Sequence, residues 1–304
     1  MEYVLTSQNL GKQYGKFQAL NDFSIHVPKG AIYGFVGKNG AGKTTLIRLI
    51  CGLQSPTSGD YTLYGVPGSS RRISCVRRRM GAVVETPAIY PDMSAEDNLR
   101  QQYLILGLPS YEGIPELLAL VGLSDTGGKK ARDFSLGMRQ RLGIAVALCG
   151  DPDFLVLDEP ANGLDPQGIV EIRELILKLN RERHITLLIS SHILDELSRL
   201  ATHYGFIDQG HMVKELSAAE LEAACRKCMR VEVSDTMALA RVLDGMALDY
   251  KILTPTTADI YAKVNITRLT RALEEEDCEL LGVQERDETL ESYYISLVGG
   301  KRNA

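Results

Sequence analysis

Nine consecutive residues carry the plainest chemistry in this chain: Gly37, Lys38, Asn39, Gly40, Ala41, Gly42, Lys43, Thr44 and Thr45. A glycine, four residues, then Gly-Lys-Thr is the spacing of a phosphate-binding loop. Without a Cβ at 37, 40 and 42 the backbone can turn tightly and aim N–H groups at phosphate oxygens, while the N-terminus of a following helix adds positive dipole. Lys43 is then placed to reach the β- and γ-phosphates, and the Thr44 hydroxyl to ligate Mg²⁺. A second group lies at Asp158 and Glu159, directly after the apolar run Phe154, Leu155, Val156, Leu157. Adjacent carboxylates beside a buried strand are costly unless a cation or a reaction uses them. Mg²⁺ on Asp158 and a water activated by Glu159 satisfy both. Single residues follow two other apolar runs: Glu85 after residues 81–84, and His192 after residues 185–189 and two serines.

These groups need a sheet whose strands all deliver their C-terminal ends to one edge, where ligands bind in open α/β folds. The unbroken apolar runs at 31–36, 154–157 and 185–189 read as parallel strands covered on both faces. Leu46, Leu49, Ile50 and Leu53 recur at helical spacing after the loop, so the loop lies between strand and helix as its chemistry requires. Residues 3–9 and 23–27 read as strands of an antiparallel edge sheet, with Gly15 breaking between them, and residues 60–64 as a further short strand. Tyr14 falls in the first of these regions. Arg71, Arg72, Arg77, Arg78 and Arg79 read as a solvated helix face. Residues 94–122 are helical and amphipathic, an insertion between core strands, and Ser135 opens another helix whose apolar face includes Leu142, Ala145, Val146 and Cys149. Asn162 to Pro166 caps a long helix over 167–180. His26, His184, His203 and His211 occupy no comparable place and receive no role.

With 304 residues the chain is long enough for one large α/β domain and a smaller one. A net charge of −5, from 34 basic and 39 acidic side chains, offers no electrostatic footprint for nucleic acid. No window reaches the roughly 18 apolar residues that cross a bilayer, and the first fifteen residues lack the core of a secretory signal. A cytosolic chain is expected, with any membrane link made through a partner. Six cysteines are too sparse for a disulfide scaffold. Cys225 and Cys228 form one Cys-x-x-Cys without a second pair, and read as ordinary thiols on a helix. Beyond residue 216 the pattern becomes helix 218–227, strand 229–234, helix 236–243 capped by Asp235, strands 250–254 and 259–264, helix 266–275 capped by Asn265, strand 279–284 and helix 288–298. Its βαββαβ core suggests a ferredoxin-like accessory domain.

Taken in order, these motifs resemble the nucleotide-binding subunit of an ATP-binding cassette (ABC) transporter over residues 2 to about 216. The resemblance implies an α/β P-loop NTPase with a mixed, mostly parallel core sheet, an antiparallel edge sheet and a helical subdomain over about 86–150. The domains are then 1–216 and 217–304. It also implies that Tyr14 stacks on adenine, that the loop at 37–45 holds the phosphates of ATP, and that His192 contacts the γ-phosphate. Ser135 and Gly137 become the family signature, acting on nucleotide bound to a second ATP-binding subunit. Two subunits, most simply a homodimer, would sandwich ATP and Mg²⁺ head to tail. An integral membrane permease would hold the pair at the cytoplasmic face of the membrane. Hydrolysis would use Glu159 as base, with Lys43 and His192 stabilising charge.

Two departures narrow the resemblance. Ser135-Leu136-Gly137-Met138-Arg139-Gln140-Arg141 is similar to the signature of drug and peptide-antibiotic exporters, with Leu136 where glycine is usual. Glu85 stands where most members carry a glutamine that touches Mg²⁺ or the attacking water, and this resembles the subgroup of bacitracin export and lantibiotic self-protection. A carboxylate ligates Mg²⁺ more strongly than an amide but brings negative charge toward the triphosphate. The competing readings are a soluble ABC ATPase acting on ribosomes or nucleic acid, and a nucleotide-dependent sensor that does not hydrolyse.

Overall fold

The computed structural model describes residues 2–225, 228–262, 264–286, 293–295 and 297. The chain divides into two compact units, residues 1–218 and 219–304. In the first, strands β1 (Tyr3–Tyr14) and β2 (Phe17–Pro28) form a hairpin closed by Gly15 and Lys16. Both strands are far longer than the apolar segments 3–9 and 23–27 suggest, because the polar residues between them face solvent while still pairing through their backbones. β3 (Ile32–Val36) leads into the phosphate loop and helix α1 (Lys43–Ile50). β4 (Ser58–Leu63) and β5 (Val66–Pro67) complete an antiparallel sheet of order β2-β1-β4-β5.

A short helix α2 (Ile73–Arg77) precedes β6 (Met80–Val83). The arginines here are not all solvated. Arg77 donates to the Ile50 carbonyl at 3.0 Å and to the Tyr61 hydroxyl, while Arg79 pairs with Asp153 and lies 3.8 Å from the Tyr64 ring centroid. The helical insertion is α3 (Ala95–Leu106) and α4 (Ile114–Leu120), interrupted after Leu106 where Gly107 takes a left-handed C-cap. α5 (Leu136–Leu148) follows. It lies flush on its neighbours at two places. A Cβ at Gly81 would stand 2.3 Å from the Ala147 carbonyl, and one at Gly143 2.5 Å from the Pro87 Cβ.

β7 (Phe154–Asp158), α6 (Pro166–Arg183), β8 (Thr186–Ser191) and α7 (Leu194–Ser198) come next. Two strands then follow that periodicity did not single out, β9 (His203–Asp208) and β10 (His211–Ser217). The six-stranded sheet has order β10-β9-β3-β8-β7-β6, parallel throughout except for β10. β3, β7 and β8 are buried at every residue, as their continuous apolar runs require. Phe23 and Phe35 meet edge to face, centroids 5.8 Å apart, within the core shared by the two sheets. β10 also supplies Glu215, which accepts from the buried Tyr33 hydroxyl at 2.5 Å and lies 2.8 Å from His26 Nδ1. His26 therefore has a structural partner.

The second unit begins with α8 (Ala218–Ala224), then β11 (Cys228–Val233), α9 (Thr236–Gly245), β12 (Tyr250–Thr254), β13 (Thr257–Ile260), α10 (Ile266–Glu274) and β14 (Leu280–Arg286). Its sheet has order β12-β13-β11-β14, antiparallel at every pairing, which is a split βαβ arrangement. Asp235 and Asn265 cap α9 and α10 through their side chains. Leu239, Leu243, Leu269 and Leu273 pack against Val231, Ala258 and Ile260. The expected Cys-x-x-Cys helix is broken: Cys228 starts β11. Of the expected final helix, residues 293–295 and 297 are helical and the rest lies outside the described residues.

Candidate functional site

The parallel strands bring three loops to one edge. β3 ends at Val36 and the chain turns through Gly37 to Gly42 before α1. Gly37 is required there, since a Cβ would come within 2.6 Å of the Ile207 side chain and 2.7 Å of its carbonyl. Gly42 has φ 113° and Ala19 O within 2.7 Å of its absent Cβ, so position 42 is closed to any side chain on both counts. Gly42 is also the N-cap of α1, and no side chain caps that helix end. The first N–H groups of α1 and their dipole thus meet a cleft of about 250 Å³, bordered by Asn39, Gly40, Thr44, Thr45, Glu159 and Phe17.

Six of the expected site residues, Gly37, Lys38, Lys43, Asp158, Glu159 and His192, are connected, Asp158 through Ser190. Lys43, 5 % exposed, donates to the Gly37 carbonyl at 2.6 Å and to the Lys38 carbonyl at 3.3 Å, and its Nζ lies 3.1 Å from Glu159 Oε1. The other Glu159 oxygen is 2.7 Å from His192 Nδ1. Glu159 adopts φ 50°, a left-handed backbone that a residue without glycine's freedom takes at a cost, and this turns its carboxylate back over the loop side. Asp158 is 1 % exposed; its Oδ1 accepts from the Ser190 hydroxyl at 2.5 Å, whereas Oδ2 is buried without a donor.

Ser190 was not singled out by the sequence, yet it joins the acids. Its hydroxyl donates to Asp158 and accepts from the Glu159 N–H at 2.9 Å, and its carbonyl accepts from the same N–H at 3.2 Å. The signal was present: a serine ending a buried strand, beside another that ends in two acids. Gly37 N donates to the Ser191 carbonyl at 3.3 Å, tying the phosphate loop to the His192 loop.

The remaining expected residues stand outside that network. Glu85, also left-handed at φ 60°, is half exposed and pairs with Arg48 of α1. The Tyr14 hydroxyl donates to Gln54 Oε1, and Lys12 Nζ lies 5.2 Å from its ring centroid. The aromatic ring bordering the phosphate-loop cleft is Phe17. Ser135 is the N-cap of α5, accepting from Met138 N at 3.2 Å. A Cβ at Gly137 would meet only Leu164 Cδ2, at 3.8 Å. Among the described residues no three His, Cys, Asp or Glu side chains gather as a metal cluster, and no helix is long and apolar enough to cross a membrane.

A phosphate cradle on a helix N-terminus, a buried acid with an orphaned oxygen and a second acid held between a lysine and a histidine define a nucleotide triphosphatase of the P-loop class. The ABC transporter family profile matches residues 20–162, and relatives match the chain almost end to end, so the chain belongs to the ABC transporter family, among its ATP-binding, ATP-hydrolysing subunits. It is 37 % identical over 302 residues to the bacitracin transport ATP-binding protein BcrA of Enterococcus faecalis, covering 99 % of this chain and 98 % of that one. It is 43 % identical over 212 residues to the lantibiotic transport ATP-binding protein SrtF of Streptococcus pyogenes, covering 70 % and 90 %. Among solved structures it is similar to cbiO1 of Clostridium perfringens, part of the ABC transporter complex cbiONQ, with TM-score 0.66 and 25 % identity over 73 % of this chain and 92 % of that one. ABC subunits of this kind dimerise and work with a membrane permease.

Proposed function

We propose that this chain is the ATPase subunit of an exporter for a peptide antibiotic of bacitracin or lantibiotic type, held at the cytoplasmic face of the membrane by a separate permease. The observation that carries the transport reading is the match to BcrA along both units rather than the cassette alone. Residues 1–216 serve as the ATPase domain, with a helical subdomain over about 86–150, and 217–304 as an accessory domain.

The loop from Gly37 to Thr45 holds the phosphates of ATP, with Lys43 leaving Glu159 for the β- and γ-phosphates. Mg²⁺ fits the residues present: Asp158 offers a buried carboxylate oxygen that lacks any donor, and Thr44 borders the phosphate-loop cleft together with Glu159, the residue after Asp158. A hard divalent ion of this size binds through one or two protein oxygens and keeps phosphate and water for the rest, so a dedicated cluster is not needed. When bound it neutralises charge on the triphosphate. Glu159 takes the proton of the attacking water, and His192 orients Glu159 and faces the γ-phosphate. Glu85 is a further candidate ligand once Arg48 releases it.

Ser135 and Gly137 act on nucleotide bound by a second copy. The packing of this chain does not call for glycine at 137, so its small size serves an approach from outside. The exporter reading is tested by solubilising membranes in mild detergent, capturing the chain and identifying the integral protein that accompanies it. A multi-span permease is the expected companion. Ribosomes in place of a membrane protein would overturn the reading.

A further inference from the structure

β8 lies between β3, which leads into the phosphate loop, and β7, which ends in the first of the two acids. Ser190 of β8 stands opposite Asp158 in the parallel register with β7 and opposite Phe35 in the register with β3. It is fully buried, so its hydroxyl must find its partners inside the protein. An ionised carboxylate only accepts, so the one hydroxyl proton goes to Asp158 Oδ1, at 2.5 Å, and a lone pair is left for the Glu159 N–H, at 2.9 Å. Both acids are held by one small group on the neighbouring strand. Their dependence on it differs. The Glu159 N–H also reaches the Ser190 carbonyl, at 3.2 Å, so its left-handed backbone keeps a support that no change of side chain at 190 removes. For the Asp158 carboxylate the Ser190 hydroxyl is the one donor among the described residues. The torsion that turns a carboxylate about its Cβ–Cγ bond is soft, and a bond to one oxygen fixes it. With Oδ1 engaged on the β8 side, Oδ2 is the oxygen left bare, and a buried bare oxygen is costly unless a cation meets it.

We propose that Ser190 is a positioning residue for the metal site: by holding Oδ1 it selects Oδ2 of Asp158 as the oxygen that meets Mg²⁺. The proposal rests on the reading that Asp158 holds Mg²⁺, and adds to it the residue that orients this ligand from the adjacent strand. Removing a hydrogen-bond partner that orients a metal ligand weakens metal affinity by about 10- to 100-fold.

The test titrates ATP into the full chain over a series of Mg²⁺ concentrations and again in EDTA. Ser190→Ala is expected to keep the wild-type affinity for ATP in EDTA and to need about tenfold more Mg²⁺, or beyond, for the gain that Mg²⁺ gives wild type. Ser190→Thr, which keeps the hydroxyl on a side chain suited to a strand, is expected to restore the wild-type Mg²⁺ requirement. In an Asp158→Asn background Ser190→Ala is expected to add no further loss, because the two residues act on one contact. Ser190→Ala with the wild-type Mg²⁺ requirement would overturn the proposal. So would an equal weakening in EDTA and in Mg²⁺, which would mean a packing role alone, or a further loss on top of Asp158→Asn. Wild-type chain that gains nothing from Mg²⁺ would remove Asp158 from the metal role itself, and this proposal with it.

Discussion

Lys43 Nζ and Glu159 Oε1 stand 3.1 Å apart, with the second Glu159 oxygen 2.7 Å from His192. In this arrangement the lysine proposed to meet the triphosphate is already paired with the carboxylate proposed to activate water. On that proposal, arriving phosphates would offer Lys43 a more highly charged partner and leave Glu159 to accept a proton. Glu159→Gln is accordingly expected to bind Mg-ATP at least as tightly as wild type, while phosphate release in the assembled transporter falls by about 10²-fold or more. Wild-type turnover would remove Glu159 from the base role.

Two glycines separate folding from function. Gly42→Ala must hold φ 113° and press on Ala19 O, so it is expected to cost about 1–3 kcal/mol and lower the melting temperature together with nucleotide affinity. Gly137→Ala meets only an ordinary contact with Leu164, so the melting temperature should stay and ATPase activity of the assembled complex should drop. Equal activity in Gly137→Ala would show that no partner approaches there.

Glu85 is a carboxylate where the family resemblance leads one to expect an amide, and Arg48 holds its charge in the structure. Hydrolysis by Glu85→Gln should differ from wild type chiefly in the Mg²⁺ concentration it needs. Superimposable Mg²⁺ titrations would defeat the assignment of Glu85 as a metal ligand.

Ser94 and Asp97 form a capping box at the start of α3, and the Ser94 hydroxyl and N–H hold the Asp97 carboxyl below the usual carboxylate range. A lowered folded value means stability present above the ordinary carboxylate pKa and lost as pH falls through the lowered one. Ser94→Ala should cost about 1 kcal/mol at neutral pH, and the gap to wild type in denaturant melts should narrow on acidification toward that range. A gap constant with pH would mean that Asp97 takes no part in the cap.

Much of this site is legible in the sequence, because each part follows a local rule. A phosphate loop needs its glycines and lysine at fixed spacing, and a strand buried on both faces announces itself as an unbroken apolar run, so Lys43, Asp158 and His192 could be placed on one sheet edge. What stayed hidden depends on contacts distant in sequence. Ser190 supports both acids from another strand, 31 and 32 residues away. Arg48 reaches Glu85 across 37 residues. β9 and β10 do not stand out in the sequence because Gly205 and polar residues interrupt their apolar pattern, although Gly205 is where the Tyr33 hydroxyl would come within 2.3 Å of a Cβ.

The most direct measurement is calorimetric titration of ATP into the purified chain and its Asp158→Asn variant, with Mg²⁺ and again with EDTA. Wild type is expected to bind saturably with a clear gain from Mg²⁺, and the variant to bind without that gain, since the orphaned oxygen at 158 is the proposed anchor of the metal. Absence of saturable binding by wild type in the presence of Mg²⁺ would contradict the account at its root.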